Sequence, residues 1–519
     1  MTSNSIAIFA AFAAYLIFMI VIGYIYMKKT SNSEDYFLGG RNLNGWVAAL
    51  SAQASDMSSW LLMGLPGTIY ALGTGQIWIA VGLLLGTIAN WLFISNRLRS
   101  YTIKVDAMTI PEYYEKRFHD EKRVLLLISS IIISIFFLVY TASAFTAGGK
   151  LFTSVFGLDY HTALTIGAVV ILAYTFMGGF MAVCVTDFVQ GSMMFLCLLI
   201  VPILAWYLVG DSASVMANLN ASGVTGGAAT FLNPLTTEGT PITFTEIISQ
   251  LAWGLGYFGM PHILVRFMAI KNKKELKKSK VIAIVWVVIS LTLACIVGVI
   301  GRAYLYPEIL GSSTNISVEN VFIEMIGKIF TQEFNLAFLG GLFLCGILAA
   351  IMSTADSQLL VTASSISSDL YKNFIHRDAS DKQVLNLSRI VVLVIAALAL
   401  WIAWDPNNSI MGLVSNAWSG LGSAFGPITL LSLYWKRTNL NGAIAGILSG
   451  GITVLIWDYI PMVGGQTLGT VTGLYSLVVG FLVSTLCIVI FSLTSKEPSE
   501  EMLAEYSAME KDAKQQADA

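Results

Sequence analysis

The amino-acid sequence predicts an all-α protein that crosses a membrane many times. Its composition is the first indication, because 56% of the 519 residues are hydrophobic and only 12% are charged, whereas soluble domains carry about 25% charged residues. The second indication is a series of apolar runs, each near the roughly 20 residues that a membrane-spanning helix needs. No polar linkers separate these runs, so we expect one multi-pass unit in the cell membrane.

Thirteen apolar runs are expected to be membrane spans. The first lacks a basic leader and a small-residue cleavage site, which indicates a retained helix and not a signal peptide. Residues 1–495 should therefore form one transmembrane domain, and residues 496–519 a cytoplasmic tail that is a solvated helix or disordered. The expected spans are 6–27, 44–71, 75–96, 124–149, 161–179, 187–209, 242–269, 280–305, 334–366, 386–404, 410–434, 440–460 and 467–493.

Lysine and arginine residues fall almost entirely on one side of this topology. They follow spans 1, 3, 7, 9 and 11 and continue into the tail, beginning with Lys28 and Lys29 and including the run 271–280. Because cytoplasmic loops are enriched in basic residues, we expect the N-terminus outside and the C-terminus in the cytoplasm. The basic residues on the opposite side are Lys150, Arg302 and Lys328.

The second span is interrupted in its middle. Residues 52–67 combine Asp56, several small polar side chains and a Gly-Leu-Pro-Gly sequence. An ionisable residue at membrane depth costs about 2.5–3.5 kcal/mol, and a helix that is broken there must line protein or water. We therefore expect free carbonyls and hydroxyls that hold an ion or a substrate. The alternative is that Asp56 is a structural acid that accepts hydrogen bonds at the break.

The seventh span contains a second interruption, residues 253–262, with three glycines and Pro261. Glycine permits an irregular backbone, and proline frees a carbonyl because it lacks an N–H donor. On an α-helix, Trp253 and Tyr257 would share a face. Ordinary helix packing explains one glycine or one ring, but this cluster indicates a substrate pocket.

The two interruptions lie five spans apart. Paired interrupted spans in corresponding positions indicate a transporter built from inverted repeats, and an odd offset gives the two halves opposite orientation. We expect repeats at 44–209 and 242–434, preceded by an extra first helix within 1–43 and followed by two helices within 435–495.

The ninth span supplies hydroxyl groups that are able to reach the first interruption. Oxygen ligands with little formal charge suit a monovalent cation, because a divalent cation usually requires more carboxylates. The alternative is that Ser353 and Thr354 bond only the carbonyl one turn back. Asp187, Asp356 and Arg266 lie nearer the cytoplasmic ends of their spans, and for the two acids a gate, a structural hydrogen bond and direct binding stay open. The cysteines and histidines are scattered, so no zinc or haem site is expected.

Four sequence motifs resemble those of the sodium/solute symporter family. Residues 174–182 and 437–443 resemble its general signatures, and residues 54–67 and 254–269 resemble the form found in its proline carriers. The resemblance covers nearly the whole chain. It implies a leucine-transporter-like core, sodium drive and inward transport of L-proline, with no enzymatic activity.

The resemblance also implies individual roles. Sodium would be held by the backbone carbonyls of Ala54, Met57 and Ala350 and by the hydroxyls of Ser353 and Thr354. The proline pocket would be lined by Tyr140, Trp253, Tyr257 and Pro261, with Ser58 and Met260 beside them. Asp56 and Asp187 would couple the ion to the solute.

Two positions depart from the family pattern. Met260 stands where a glutamine is expected, and Ser59 where a glycine is expected. If Met260 faces the pocket, a polar contact is lost, so pantothenate, choline, a sugar or a sialic acid remain alternative solutes. Separately, protons remain an alternative to sodium as the coupling ion. A channel would need a continuous polar pore, whereas the polar residues here converge at mid-membrane. A sensor would need a soluble domain, and the tail is too short for one. The sequence therefore favours a transporter over both. The expected partners are the solute, sodium and the lipid bilayer, without nucleic acid, and the expected state is a monomer.

Overall fold

The computed structural model describes residues 3–27, 33–175, 179–312, 314 and 316–517. Lys28, Lys29 and residues 176–178 of one signature lie outside these ranges. The first half of the described chain is helical, with bounds α1 Ser3–Met27, α2 Ser33–Leu38, α3 Gly45–Asp56, α4 Leu65–Leu72, α5 Ile77–Ala89, α6 Ser95–Lys104, α7 Ile110–Arg117, α8 Val124–Phe156, α9 Tyr160–Thr175, α10 Phe180–Val209, α11 Ser212–Ala221 and α12 Gly227–Phe231.

The second half is equally helical. Its bounds are α13 Phe244–Leu251, α14 Pro261–Ala269, α15 Lys273–Leu305, α16 Val321–Gly327, α17 Ala337–Ser364, α18 Asp381–Ile402, α19 Ile410–Tyr434, α20 Leu440–Tyr459, α21 Leu468–Thr472, α22 Ser476–Thr494 and α23 Glu500–Ala517. Two short antiparallel hairpins pair β1 Thr236–Thr237 with β2 Thr240–Pro241, and β3 Pro461–Val463 with β4 Gln466–Thr467. Tight 3-10 segments are Gly39–Arg41, Thr74–Gln76, Ala252–Gly259 and Val318–Asn320, and wide π segments are Trp60–Gly64, Asn90–Ile94, Lys328–Glu333 and Ser365–Ile375.

Within the described ranges, nine continuous helical stretches are long and apolar enough to cross a membrane. The predicted spans 2 and 7 are not among them, because each is divided into two short helices. The fifth predicted span is a shorter apolar helix, and the eleventh, α19, is interspersed with serine and asparagine. The nine stretches are Ser3–Tyr26, Thr74–Lys104, Val124–Phe156, Phe180–Val209, Lys273–Leu305, Ala337–Ile375, Asp381–Ile402, Leu440–Tyr459 and Ser476–Thr494.

The first interruption follows from its local sequence. The side chain of Asn44 caps α3 by accepting hydrogen bonds from the N–H groups of Trp46 and Val47. The helix ends at Asp56, where Met57 leaves the helical region with φ −83° and ψ 74°. The chain then resumes in the wide segment Trp60–Gly64, which runs directly into α4. This local π geometry accommodates Pro66, which lacks an N–H donor.

The second interruption is built differently. Thr243 and Glu246 form a capping box at the start of α13, and the tight segment Ala252–Gly259 follows. The backbone of Gly254 lies directly against Gly82 and Gly86 of α5, which leaves no room for a Cβ atom. Met260 is extended, with φ −84° and ψ 104°, and Pro261 begins α14.

One face of the molecule gathers arginine and lysine residues where several helices begin or end. The Arg41 guanidinium donates to the carbonyls of Met268 and Thr102 at 3.1 Å each, and Arg99 donates to Ile270 at 2.8 Å. Leu43 pairs with Ile270 in a short bridge. We call the side that contains these residues the basic face, and the other side the opposite face.

The tail corrects one prediction. Residues 500–517 form a helix, α23, but its apolar side is not solvated, because Met502, Tyr506 and Met509 are buried. The Tyr101 hydroxyl donates to Glu505 at 3.1 Å. The helix is amphipathic, but its apolar residues are few and are spread among acids, so the composition alone does not indicate an apolar side. This side packs on α6 at the basic face.

Candidate functional site

Asp56 lies at the first interruption and is completely buried. The Tyr257 hydroxyl donates to its Oδ2 at 2.6 Å. Its backbone carbonyl accepts from the Trp60 indole N–H at 2.9 Å and from the Tyr140 hydroxyl at 3.5 Å. No described residue donates to its Oδ1, although that atom is buried. Because buried polar atoms are nearly always partnered, this oxygen is a candidate to accept a hydrogen bond from a solute or to bind a cation.

The carbonyl of Ala54, two residues earlier, faces the ninth predicted span. Ser353 Oγ lies 2.8 Å from this oxygen and Thr354 Oγ1 lies 3.4 Å from it. Ser353 Oγ is also 3.3 Å from the carbonyl of Ala350. The structure thus brings α17 hydroxyls to the first interruption, and it also contains the local bond back to the helix that sequence reasoning gave as the alternative.

These oxygens have the character of a monovalent cation site. All are on completely buried residues, and Met57, which has left the helix, adds a carbonyl in the same stretch. Among the described residues no group of three or more His, Cys, Asp or Glu side chains is placed to hold a metal ion. Such a set, with one carboxylate close by and mostly neutral oxygens, suits a hard cation of low charge.

Aromatic side chains surround Asp56. The Trp418 ring packs edge-on against Tyr257, with centroids 5.1 Å apart, and the His262 ring packs edge-on against Tyr140 at 6.3 Å. Trp60, Tyr140, Tyr257 and Trp418 are each at most 1% exposed. This enclosure excludes water from the carboxylate and gives apolar walls for a small ring.

The structure separates Trp253 from Tyr257, which corrects the prediction that they share a face. The segment between them is a 3-10 helix, with three residues per turn, so side chains four residues apart diverge by about 120°. The Trp253 ring stacks on Tyr475 with centroids 5.3 Å apart. It lines an open cavity of about 490 Å³ at the opposite face, together with Asp458.

The remaining predicted pocket residues lie around the second interruption and beside Asp56. Pro261 lines a small cavity on the basic side, together with Val265 and Arg266. Met260 is completely buried, and its carbonyl accepts from the first turn of α14. Ser58 is buried, and its Oγ lies 3.4 Å from the Trp60 N–H. Tyr257 therefore stands between Trp253 on one side and Pro261 on the other.

A second buried carboxylate, Asp187, lies toward the basic face. Its Oδ2 is 3.1 Å from the Arg266 guanidinium, and Ser51 and Ser55 donate to it at 2.7 and 3.0 Å. Arg266 also donates to Ser357 at 2.6 Å. The network joins α3, α10, α14 and α17 at one point, and all its members are at most 1% exposed.

Sequence reasoning missed several of these residues. Ser51 and Ser55 are four residues apart on α3 and share a face, which is a usable local signal. A buried arginine in a span requires a partner, so Arg266 and Asp187 were candidates for pairing. Nothing local distinguishes Trp418 from other tryptophans, because its place beside Tyr257 depends on how α19 packs.

A sequence profile of the Sodium:solute symporter family matches residues 36–450. The chain belongs to this family. The symporter is 43% identical over 509 residues to the osmoregulated proline transporter OpuE of Bacillus subtilis, covering 98% of this chain and 99% of the relative. It is 42% identical over 497 residues to the sodium/proline symporter of Escherichia coli, covering 95% and 94%.

The high-affinity proline transporter PutP of Bacillus subtilis is 44% identical over 490 residues, covering 94% of this symporter and 98% of the relative. In fold, the symporter is similar to a Na+-coupled sialic acid symporter in a substrate-bound outward-open state, with a TM-score of 0.76, 20% identity and coverage of 95% and 99%. The predicted family and helical membrane fold are therefore confirmed.

Proposed function

We propose that this protein is a secondary active transporter that carries L-proline into the cell with sodium. Three relatives above 40% identity over nearly their full lengths are named as proline transporters or sodium/proline symporters. The single observation that carries the proposal is the contact of the α17 hydroxyls of Ser353 and Thr354 with the Ala54 carbonyl at a broken helix, two residues before the buried Asp56.

The membrane topology that we propose has thirteen spans. Residues 44–209 and 242–434 form inverted repeats, the N-terminus is outside, and the basic face is cytoplasmic. The two interruptions support this arrangement, because α3 enters the first from the basic face and α14 leaves the second toward that face. The enrichment of basic residues on one side supports the orientation.

Sodium binds between the first interruption and α17. Ser353 and Thr354 turn their lone pairs toward the ion when it replaces the hydroxyl contacts to Ala54, and the carbonyls of Met57 and Ala350 complete the oxygen set. The ion thereby ties two helices together and offsets the charge of Asp56. Since Asp56 also orients Tyr257, ion binding and solute binding are coupled, and the coupling is reciprocal.

Proline binds beside Asp56. Free backbone N–H groups at the broken helices meet its carboxylate, and Tyr140 and Tyr257 pack against its ring, with Ser58 and Met260 at the edges. Trp253 faces the cavity on the opposite side and Pro261 the cavity on the basic side. The solute therefore meets these residues in the order Trp253, Tyr257 and Pro261 on its way inward.

Asp187 and Arg266 act as the inner gate. Their network lies between the ion site and the basic face and binds four helices together, so it must rearrange for release into the cytoplasm. Ser51 and Ser55 lie on α3, the helix that ends at Asp56, and both donate hydrogen bonds to Asp187 on α10. Movement of α3 at the ion site is therefore transmitted to this gate.

The decisive test is uptake of labelled proline into vesicles that contain the purified protein. An inward sodium gradient at fixed pH should drive saturable uptake, and a proton gradient without sodium should not. Unlabelled pantothenate, choline, glucose and sialic acid should compete poorly. Two results would contradict the proposal: proline uptake that is driven by the proton gradient, and proline uptake that a low concentration of one of these competitors abolishes.

A further inference from the structure

A groove outside the transport site runs along the surface of the helices near the basic face. It has a volume of about 460 Å³ and lies between α3, α10 and α15. Its lining is apolar, and Leu196, Val281 and Val285 are each more than half exposed. The residues that line it are Trp46, Leu50, Ser192, Phe195, Leu196, Val281, Ile282, Val285 and Trp286.

A run of lysines begins directly beside one end of this groove. Residues 271–280 contain six lysines and one acid, Glu275. That carboxylate accepts a hydrogen bond from the backbone N–H of Gly45 at 2.5 Å, and with one acid against six lysines the run keeps a net charge of +5. Lys274 and Lys278 are exposed, and the Lys278 ammonium lies over the ring of Trp46, 5.7 Å from its centroid.

The helical period directs only some of these lysines toward the groove. At about 100° per residue, Lys274 and Lys278 lie on the side of α15 that carries Val281, Ile282 and Val285. Lys273 lies about 140° around the helix from Lys278. Lys274, Lys278 and the apolar groove therefore lie on one face of α15. Trp46, which is 50% exposed, lies where the two lysines meet the groove.

We propose that this groove binds an anionic phospholipid, with its phosphate at Lys274 and Lys278 and an acyl chain along the apolar lining. Basic residues at membrane interfaces attract anionic headgroups, at about 1 kcal/mol per residue, and lysine stems cover apolar surface while their ammonium groups reach outward. The lipid would contact Leu50, one turn before Ala54, and thereby hold the half-helix of the ion site against α10 and α15.

Native mass spectrometry of the detergent-purified protein tests this directly, with dioleoyl phosphatidylglycerol and dioleoyl phosphatidylcholine as probes. Wild-type protein should bind phosphatidylglycerol at lipid concentrations at least about tenfold lower than those needed for phosphatidylcholine. Lys274→Gln with Lys278→Gln should weaken its binding by roughly 30-fold, and arginine at both positions should restore it. Glycerol 3-phosphate, which has no chains, should not displace the lipid.

The matched control is Lys273→Gln with Lys382→Gln, which removes the same charge from exposed lysines that do not face the groove. It should bind phosphatidylglycerol as wild type does. Equal losses in the two double variants would identify a diffuse charge effect and overturn the site, as would equal affinity of wild type for the two lipids. Neither readout uses transport, so the result is independent of the proposed substrate.

Discussion

Two buried carboxylates, Asp56 and Asp187, differ in what neutralises them. Asp187 has a permanent cation, because Arg266 lies 3.1 Å from it and two serines share the same oxygen. Asp56 receives one hydrogen bond from a neutral phenol, and its second oxygen has no donor among the described residues. Because Asp187 Oδ1 also lacks a donor among the described residues, the two acids differ in the cation beside Asp187 and not in the number of unpartnered oxygens.

The difference assigns different work to the two acids. A buried charge that is paired within the protein fixes helices in place, whereas one that lacks a cation favours binding of a mobile cation. Asp56 should therefore govern sodium affinity, and Asp187 should govern stability and the inner gate.

The largest expected effect is that of Asp56→Asn. Two opposite charges 4 Å apart attract by about 4 kcal/mol at an effective dielectric constant of 20, so sodium affinity should fall by about three orders of magnitude. The measurement is sodium-dependent proline uptake in vesicles at increasing sodium. Asp458→Asn is the matched control, because that carboxylate lies at an open cavity and is held by Ser476 and Asn416. Similar losses in both variants would remove the distinction.

The next effect concerns stability. Arg266→Leu leaves Asp187 buried without its cation, which should lower the free energy of unfolding by about 3–5 kcal/mol. Adding Asp187→Leu should recover part of the loss, since two apolar residues leave no buried charge. Thermal melting in detergent measures both variants. A double variant that is less stable than Arg266→Leu would mean that the pair does not account for the loss.

Tyr257→Phe should sharpen the comparison at the solute. The lost bond to Asp56 contributes about 1.5–3 kcal/mol to holding the Tyr257 ring in place. Because proline packs on that ring in our proposal, its apparent affinity should fall by at least tenfold while the protein remains folded. Tyr475→Phe also removes one hydroxyl bond, 2.6 Å to the Ser415 carbonyl, but it does not touch Asp56. It should leave affinity within about twofold, and an equal loss there would contradict the assignment.

The smallest expected effect is that of Thr354→Ala. Removing one hydroxyl of the oxygen set should raise the sodium concentration for half-maximal uptake several-fold, at about 1 kcal/mol, and change solute preference little. Thr362→Ala, on the same helix, removes only a bond of 2.8 Å to the Gln358 carbonyl. If both variants have the sodium requirement of wild type, Thr354 does not belong to the site.

Much of the site was predictable because it depends on local backbone chemistry. Glycine and proline within apolar runs marked both interruptions, and an acid at membrane depth marked Asp56. The role of Ser353 and Thr354 follows from the family resemblance, because residue type alone leaves the local bond one turn back as an equal alternative. The division of spans 2 and 7 into short helices is the structural form of those same signals.

What the sequence did not reveal depends on geometry over long separations. The prediction that Trp253 and Tyr257 share a face requires an α-helical period, but the segment between them is a 3-10 helix, which turns the rings apart. Trp418 is 161 positions from Tyr257 in the sequence, and no local pattern links them. The buried face of α23 was hidden because its few apolar residues are spread among acids.

We propose that bound sodium completes the site beside Asp56 and thereby strengthens proline binding. Calorimetric titration of the purified protein with proline, in sodium chloride and in equimolar potassium chloride, tests it directly. We expect proline affinity to be at least tenfold higher in sodium, and this difference to disappear in Asp56→Asn. Equal affinity in the two salts would contradict the account.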